Sequence, residues 1–265
     1  MKKIFLFLAF VLTVSVASAW RTNCEEGIVI MAAQHFAPRT KAVVERYLGT
    51  KYADDVLYLN GLESKKKARH TKEIHYVHLD ASMQPMKVEG DDALVALEEA
   101  LAVVAAYETR SDEEMTAALR TVINLMSDIH HLSNYRIASI PYSLKTYKFK
   151  RQPQDYGKDK NKTEITLTNW HRVWSNFSSR YTGFSGEFWA YEMNLAKGKM
   201  KEEYSKGTLR DWISENGETA AMYLNRFHPD YVVSPFEFNS LEEVNYAMMV
   251  RASFRLAAIL NSTIK

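Results

Sequence analysis

The amino-acid sequence predicts an all-α protein that folds as a single multi-helix domain. From Ile28 onward, apolar residues recur mostly at spacings of three and four, which is the period of an amphipathic helix. Residues that typically begin or end helices stand at the breaks in this pattern. No stretch is rich enough in Gly or Pro to separate two domains, because the 265 residues include only 10 Gly and 6 Pro.

Two helices are predicted near the start of the domain by their terminal residues. Pro38 fits the first turn of a helix that ends at Gly49, since Pro is favoured at the first helical position and Gly just beyond the last. Farther along, Asp91 or Asp92 can cap a helix that carries Leu94 and the apolar residues after it.

The rest of the chain predicts three further helices and one loop. Ser111, followed three residues later by Glu114, forms a capping box before a long helix. Thr168 can cap another helix, and the last long helix is expected from about residue 241 to residue 260. Between the helix capped by Ser111 and the helix after Thr168, residues 147–166 predict an extended loop in which basic residues outnumber acidic ones.

The first nineteen residues predict a secretory signal peptide. Two lysines precede an apolar run that ends in Ala-Ser-Ala, a sequence that signal peptidase cuts before Trp20. The run is shorter than the roughly twenty residues needed to cross a bilayer, so no membrane span is expected. We therefore expect residues 1–19 to be removed, residues 20–265 to form the helical domain, and the protein to be periplasmic or secreted.

The charge balance excludes a strongly cationic nucleic-acid-binding protein. The chain has 34 Lys and Arg against 32 Asp and Glu, and loss of the two leader lysines balances the charges. Lys65, Lys66, Lys67 and Arg69 form a local basic cluster that can attract phosphate, although such runs are usually solvated surface. Cys24 is the only cysteine, which excludes an internal disulfide.

One polar stripe on the helix capped by Ser111 is a candidate site. Asn124, Asp128 and His131 stand at i, i+4 and i+7 and therefore share one helix face. The stripe alone is typical of an amphipathic helix with a solvated face, so the pattern leaves both interpretations open.

Two other places hold histidines next to polar residues. His75 and His78 lie near Asp80 in a stretch that reads as strand or loop, and His171 shares a helix face with Ser175. Each is a weak signal by itself, because scattered surface histidines produce the same spacing.

Taken together, these places resemble one known family. Trp20 follows the cleavage site directly, residues 128–130 (Asp-Ile-His) are similar to the start of an Asp-x-His-Gln-Pro-Leu-His motif, and residues 168–174 (Thr-Asn-Trp-His-Arg-Val-Trp) are similar to Thr-Asn-Leu-His-x-Val-Trp. Residues 52–54 (Tyr-Ala-Asp) and 75–77 (His-Tyr-Val) also match. The chain resembles the zinc-dependent, single-strand-specific nucleases, called S-one/P-one nucleases, whose fold is shared with bacterial zinc phospholipase C.

The resemblance implies an all-α fold and a site of three zinc ions that hydrolyses phosphodiesters. In that family nine positions supply the zinc ligands, and the amino group and carbonyl of the N-terminal Trp chelate one ion. Five positions match in this chain, namely Trp20, Asp54, His75, Asp128 and His171.

Four ligand positions depart from the family pattern. Asn124 and Asn134 replace His, Ser175 replaces Asp, and Glu25 replaces His. Glu25 is a plausible substitute ligand, and Cys24 could also reach the same ion as a thiolate. We therefore expect one or two zinc ions at most, or none, with the ion between His171, Asn134 and Ser175 missing.

The resemblance leaves two main functions open. The first is an exported hydrolase that acts on single-stranded nucleic acid or 3′-nucleotides with weakened or altered activity. The second is a catalytically dead binding or structural protein that reuses the fold. A phospholipase-type esterase is a lesser alternative that rests on fold analogy alone.

Overall fold

The computed structural model describes residues 20, 22–59, 73–88, 92–140, 148–151, 166–175 and 183–265. The predicted signal peptide and the basic cluster at 65–69 lie outside these ranges. The described residues are mostly helical, in agreement with the predicted class, and they also contain five short strands.

Helices make up most of the described chain. In order, the α-helices are α1 (Thr22–Ala33), α2 (Pro38–Leu48), α3 (Ala93–Ala105), α4 (Asp112–Asp128), α5 (Trp170–Ser175), α6 (Gly186–Lys197), α7 (Lys201–Tyr204), α8 (Leu209–Arg226) and α9 (Pro235–Thr263). Short 3-10 helices cover Tyr52–Leu57, Glu73–His75, Leu132–Asn134 and Gly198–Met200.

Several predicted helix ends are confirmed. Helix α2 begins at Pro38 and is followed by Gly49, whose φ of 74° lies in the left-handed region that favours glycine. The Asp92 side chain accepts a hydrogen bond from the Val95 amide at the start of α3. Ser111 and the side chain of the residue three positions later form a complete capping box on α4.

Two predicted helix starts are wrong. Thr168 does not cap a helix, because it lies in a strand opposite Phe149, and α5 begins only at Trp170. The last helix begins at Pro235 rather than near residue 241, after a second capping box formed by Ser234. The prediction for Thr168 fails because this residue pairs with another strand. The predicted start of the last helix is too late because the first turn of that helix shows little apolar periodicity.

Five short strands form two small sheets. Strands β1 (Val77–Leu79) and β2 (Tyr135–Ile137) are parallel, whereas β3 (Lys148–Arg151) lies between antiparallel β4 (Thr166–Asn169) and parallel β5 (Val232–Val233). The predicted loop at 147–166 therefore begins with a strand, and its residues 152–165 lie outside the described ranges.

The core forms where α1 packs on α6 and α9, and where α4 packs on α3. Helices α1 and α6 approach closely at two glycines. A Cβ at Gly27 would lie 2.6 Å from the Cβ of Trp189, and a Cβ at Gly186 would lie 2.6 Å from the Cβ of Glu26. Neither position therefore has room for a larger residue.

None of the helices within the described ranges combines the length and apolar character needed to cross a membrane.

Candidate functional site

The polar stripe of α4 is buried, which corrects the alternative of a solvated face. Asn124 and Asp128 are each 1% exposed, and the helix ends at Asp128, so that the fully buried His131 belongs to the turn that follows. Other segments of the chain therefore cover this end of α4. Burying so many polar groups is costly unless they bind partners, so their contacts decide what the site can do.

We use the name buried polar cluster for the residues that meet at this end of α4. They are Trp20, Glu25, His75, Asp128, His131, Ser133, Asn134, His171 and Ser175.

Asp128 is the centre of one half of the cluster. Its Oδ2 accepts a hydrogen bond of 2.7 Å from His75 Nδ1. Its Oδ1 and its backbone oxygen lie 3.3 Å and 3.2 Å from the Asn134 side-chain nitrogen, which donates to both. Pairing of Val77 with Tyr135 in β1 and β2 brings the His75 and Asn134 segments together, because each of these residues lies just before its strand.

Ser133 joins two histidines in the other half of the cluster. Its Oγ lies 2.7 Å from His131 Nδ1 and 2.9 Å from His171 Nδ1, so the hydroxyl donates to one ring and accepts from the other. On the opposite edge of the His171 ring, Nε2 lies 3.2 Å from Ser175 Oγ, which confirms that these two residues share a face of α5.

Trp20 connects the cluster to α1. Its backbone N–H donates to Glu25 Oε1 over 3.1 Å, and its indole N–H donates to the Ser127 carbonyl over 3.4 Å. The indole also packs edge-on against the His131 ring, with 4.8 Å between centroids. Trp20 and Glu25 are 2% and 1% exposed, so this contact is fully enclosed.

Three of the sequence-predicted residues take other positions. Asp54 is exposed on the 3-10 helix Tyr52–Leu57. The pKa of Glu26 is raised first by the burial of Glu26 and then by the negative charge of Asp54. Asn124 donates its side-chain N–H to the Val56 carbonyl over 2.6 Å. Cys24 is buried within α1. Within the described part of the chain, Asp54 forms no hydrogen bond or ion pair with the buried polar cluster.

Burial lowers the pKa of two histidines that follow the end of α4. Burial, reinforced by the neighbouring His171, holds the pKa of His131 well below its ordinary value. Burial and the charge of Arg255 also lower the pKa of the adjacent His130. The Nδ1–H of His130 donates to the Met126 carbonyl over 2.7 Å. Among the described residues, the Nε2 of His131 has no hydrogen-bond partner.

Whether the described side chains form an assembled zinc site depends on how they converge. Zinc takes three or four protein ligands around one point, and in the described ranges no three His, Cys, Asp or Glu side chains converge in this way. The two carboxylate oxygens of Asp128 already accept hydrogen bonds, one from the imidazole of His75 and the other from the side-chain amide of Asn134. The arrangement is suited to hold residues in place through hydrogen bonds.

Sequence reasoning missed one member of the cluster, Ser133, and one contact of another member, His131. His131 was visible as part of the polar stripe, but nothing in the pattern indicated its contact with Trp20. Ser133 gave no signal, because a single serine acquires its role only from the two rings that fold against it.

A scan against protein-family models finds no match, and a search of curated proteins finds no matching relative. The resemblance to the single-strand nucleases therefore rests on the motifs of the sequence, and the assignment stays a prediction.

Proposed function

We propose that this protein is an exported, divergent member of the single-strand nuclease type that acts as a binding protein and no longer hydrolyses phosphodiesters efficiently. In this proposal the old metal pocket has become a hydrogen-bonded core that fixes the fold around a ligand-binding surface. Single-stranded nucleic acid and nucleotides are the first ligands to test, because the resemblance implies them.

The observation that carries the proposal is that both oxygens of the Asp128 carboxylate accept hydrogen bonds from protein side chains. One oxygen accepts from His75 and the other from Asn134, which stands where the family has a zinc-binding His. An amide N–H is a donor and offers no lone pair to a metal, so this substitution replaces a ligand by a partner for the carboxylate.

The contact between Trp20 and Glu25 gives further support. Removal of residues 1–19 would turn the Trp20 nitrogen into an ammonium that lies 3.1 Å from a buried carboxylate oxygen. A buried ammonium paired with a carboxylate is stabilised in its protonated form, and a protonated amine cannot chelate zinc. Glu25 in place of a histidine therefore favours an ion pair at the new N-terminus.

A second function, weak phosphodiester or 3′-nucleotide hydrolysis, is favoured by one observation. His75 and Asp128 are both retained, and their side chains lie side by side, joined by a hydrogen bond of 2.7 Å between His75 Nδ1 and Asp128 Oδ2. We derive no catalytic step through zinc, because a third ligand does not join them in the described residues.

The test is to measure zinc content, cleavage of single-stranded DNA and binding of the same DNA with the mature protein that begins at Trp20. We expect far less than one zinc per chain, no turnover above background, and measurable binding. A matched protein with one extra residue before Trp20 should bind DNA equally well.

Two outcomes would contradict the proposal in different ways. Stoichiometric zinc with turnover that disappears in the extended protein would establish metal chemistry at the N-terminus and support the second function. Absence of any DNA or nucleotide binding, without zinc, would leave the fold without this ligand class and would refute the proposed binding function. The variant Asn134→His, compared with Asn134→Gln, then tests whether one restored imidazole raises zinc content.

A further inference from the structure

The sheet formed by β3, β4 and β5 carries apolar and basic side chains in one row. Lys150 of β3 stands opposite Leu167 of β4 on one side and opposite Val232 of β5 on the other. Residues paired across strands point to the same face of a sheet. The three side chains therefore lie side by side, with the cation in the middle.

Burial shows that this row belongs to the outer face of the sheet. Leu167 is 63% exposed and Val232 is 37% exposed. Phe149, which precedes Lys150 and points to the opposite face, is 0% exposed. Lys148 lies two positions before Lys150, so it shares the outer face, and it is exposed. We use the name outer sheet face for Lys148, Lys150, Leu167 and Val232.

Phe236 adds a large apolar side chain next to this sheet. It follows the last residue of β5 by three positions and is 83% exposed. Three residues span at most about 10 Å, so the backbone of Phe236 lies within that distance of β5. Two strongly exposed apolar side chains, those of Leu167 and Phe236, thus stand near two lysines.

We propose that the outer sheet face binds the surface of an anionic lipid bilayer. Lysine ammonium groups are attracted to the negative surface potential of such a bilayer, while exposed apolar side chains enter the boundary between headgroups and acyl chains. The outer sheet face offers both contacts together, because Leu167 and Val232 flank Lys150 across the strands. In this arrangement the protein lies on the bilayer.

Single-stranded nucleic acid fits this face less well. Bases stack on aromatic rings, whereas the described side chains that face outward from the three strands are aliphatic, amide or basic. Leu167 and Val232 give a base no ring to stack on, but they can pack against hydrocarbon. The observations therefore favour a lipid surface over the nucleic acid named in the proposed function.

The test measures binding of the whole mature protein to lipid vesicles by co-sedimentation. One set of vesicles contains phosphatidylglycerol mixed with phosphatidylcholine, and the other contains phosphatidylcholine alone. We expect binding to the anionic vesicles to be at least about tenfold tighter. Added salt should weaken this binding, because salt screens the attraction between the lysines and the bilayer.

Substitutions separate the charge from the apolar contact. Lys148→Gln/Lys150→Gln should weaken binding to the anionic vesicles by about twentyfold, since each lysine near such a surface contributes roughly a factor of five. Leu167→Gln should weaken it by about threefold to tenfold and leave binding of single-stranded DNA unchanged, because DNA offers no hydrocarbon to this side chain. Leu167 is 63% exposed, so this variant retains the fold.

Matched controls make the same changes elsewhere on the surface. Lys199→Gln/Lys206→Gln removes two positive charges at exposed positions outside the sheet. Leu195→Gln changes a leucine of α6 that is 69% exposed. Neither control should alter binding to the vesicles.

Three results would overturn this inference. One is equal binding, or no binding, to the two kinds of vesicle. Another is equal weakening in the controls and in the variants of the outer sheet face, which would indicate a general effect of charge or apolar surface. The third is a loss of DNA binding with retained vesicle binding in Lys148→Gln/Lys150→Gln, which would assign the face to nucleic acid.

The proposed function is tested separately, by zinc content and by DNA binding of the unmodified protein. The outer sheet face also contains no member of the buried polar cluster. Failure of this inference and failure of the proposed function are therefore distinguishable.

Discussion

The two ends of α4 are both rich in polar residues, yet they differ completely in environment. At the N-terminal end, Ser111 caps the helix at the surface, and the Asp112 side chain is 76% exposed near Arg46. At the C-terminal end, Asn124 and Asp128 are enclosed and bind partners from distant segments. At one end of this helix the polar residues bind groups that are near in sequence, and at the other end they bind groups that only the fold brings close.

The difference teaches how polar residues contribute to stability. The capping box satisfies backbone groups near in sequence, and water can replace part of it. The carboxylate of Asp128 is buried, so among the described residues its contacts with His75 and Asn134 replace its hydration. Identical changes at the two ends should therefore have very different effects.

The largest expected effect is that of Asp128→Asn. The substitution removes the charged acceptor of the buried hydrogen bond from His75, so we expect a loss of about 1.5–3 kcal/mol in the free energy of unfolding. Urea denaturation followed by circular dichroism measures this. The double variant His75→Leu/Asp128→Leu should recover part of the loss, because it buries no isolated polar group. A loss below 1 kcal/mol would mean that water reaches this end of α4.

The second effect concerns pH. The pKa of His131 and that of His130 are lowered in the folded protein, chiefly by burial, so below about pH 6.5 the unfolded chain takes up protons that the folded chain does not. Stability should therefore fall with decreasing pH, by about 1.4 kcal/mol per pH unit for each imidazole.

Denaturation curves between pH 7.5 and pH 5 measure this slope. His131→Gln should reduce this slope by the contribution of one imidazole, which is about 1.4 kcal/mol per pH unit. His228→Gln, at an exposed position, should leave the slope unchanged. An unchanged slope in His131→Gln would show that water or a proton reaches the buried ring.

The third effect is that of Ser111→Ala at the exposed end. The variant loses the hydrogen bond that the Ser111 hydroxyl accepts from the Glu114 amide, and we expect a loss of about 1 kcal/mol. Ser111→Asp keeps an acceptor at the same position and is the matched control, with stability close to that of the original protein. Thermal unfolding of the three proteins makes the comparison, and equal losses in both variants would contradict it.

The smallest effect is that of Asp112→Asn, which makes the same chemical change as Asp128→Asn on the same helix. Its 3.8 Å ion pair with Arg46 is exposed to solvent on both sides, so we expect a loss of less than about 1 kcal/mol. Similar losses for the two substitutions would remove the contrast between the two ends of α4.

The sequence predicted those parts of the fold that depend on neighbouring residues. Pro38 and Gly49 delimit α2, Asp92 caps α3, and Ser111 begins α4, because each involves backbone groups a few positions away. Thr168 has the same local character but pairs with Phe149 in a sheet, and a residue far along the chain cannot be anticipated from local spacing.

The candidate site was predictable only in part, for the same reason. The resemblance pointed to His75, Asp128 and His171, and the structure places all three in the buried polar cluster. The alternative of a solvated face for Asn124 was wrong, because burial depends on which segments pack over a helix. Asp54 matched the family motif in sequence, yet its side chain lies at the surface. Identity of a residue does not fix its surroundings.

The glycine contact between α1 and α6 limits how this protein can change in evolution. Gly27 follows Glu25 of the buried polar cluster by two positions, and Gly186 is the first residue of the helix that bears Trp189, so this close contact lies beside the cluster in α1. A mutation that adds a methyl group on either side requires the opposite backbone to retreat. Descendants of this chain can therefore enlarge either glycine only if α1 and α6 move apart, which would also shift the part of α1 that carries Glu25.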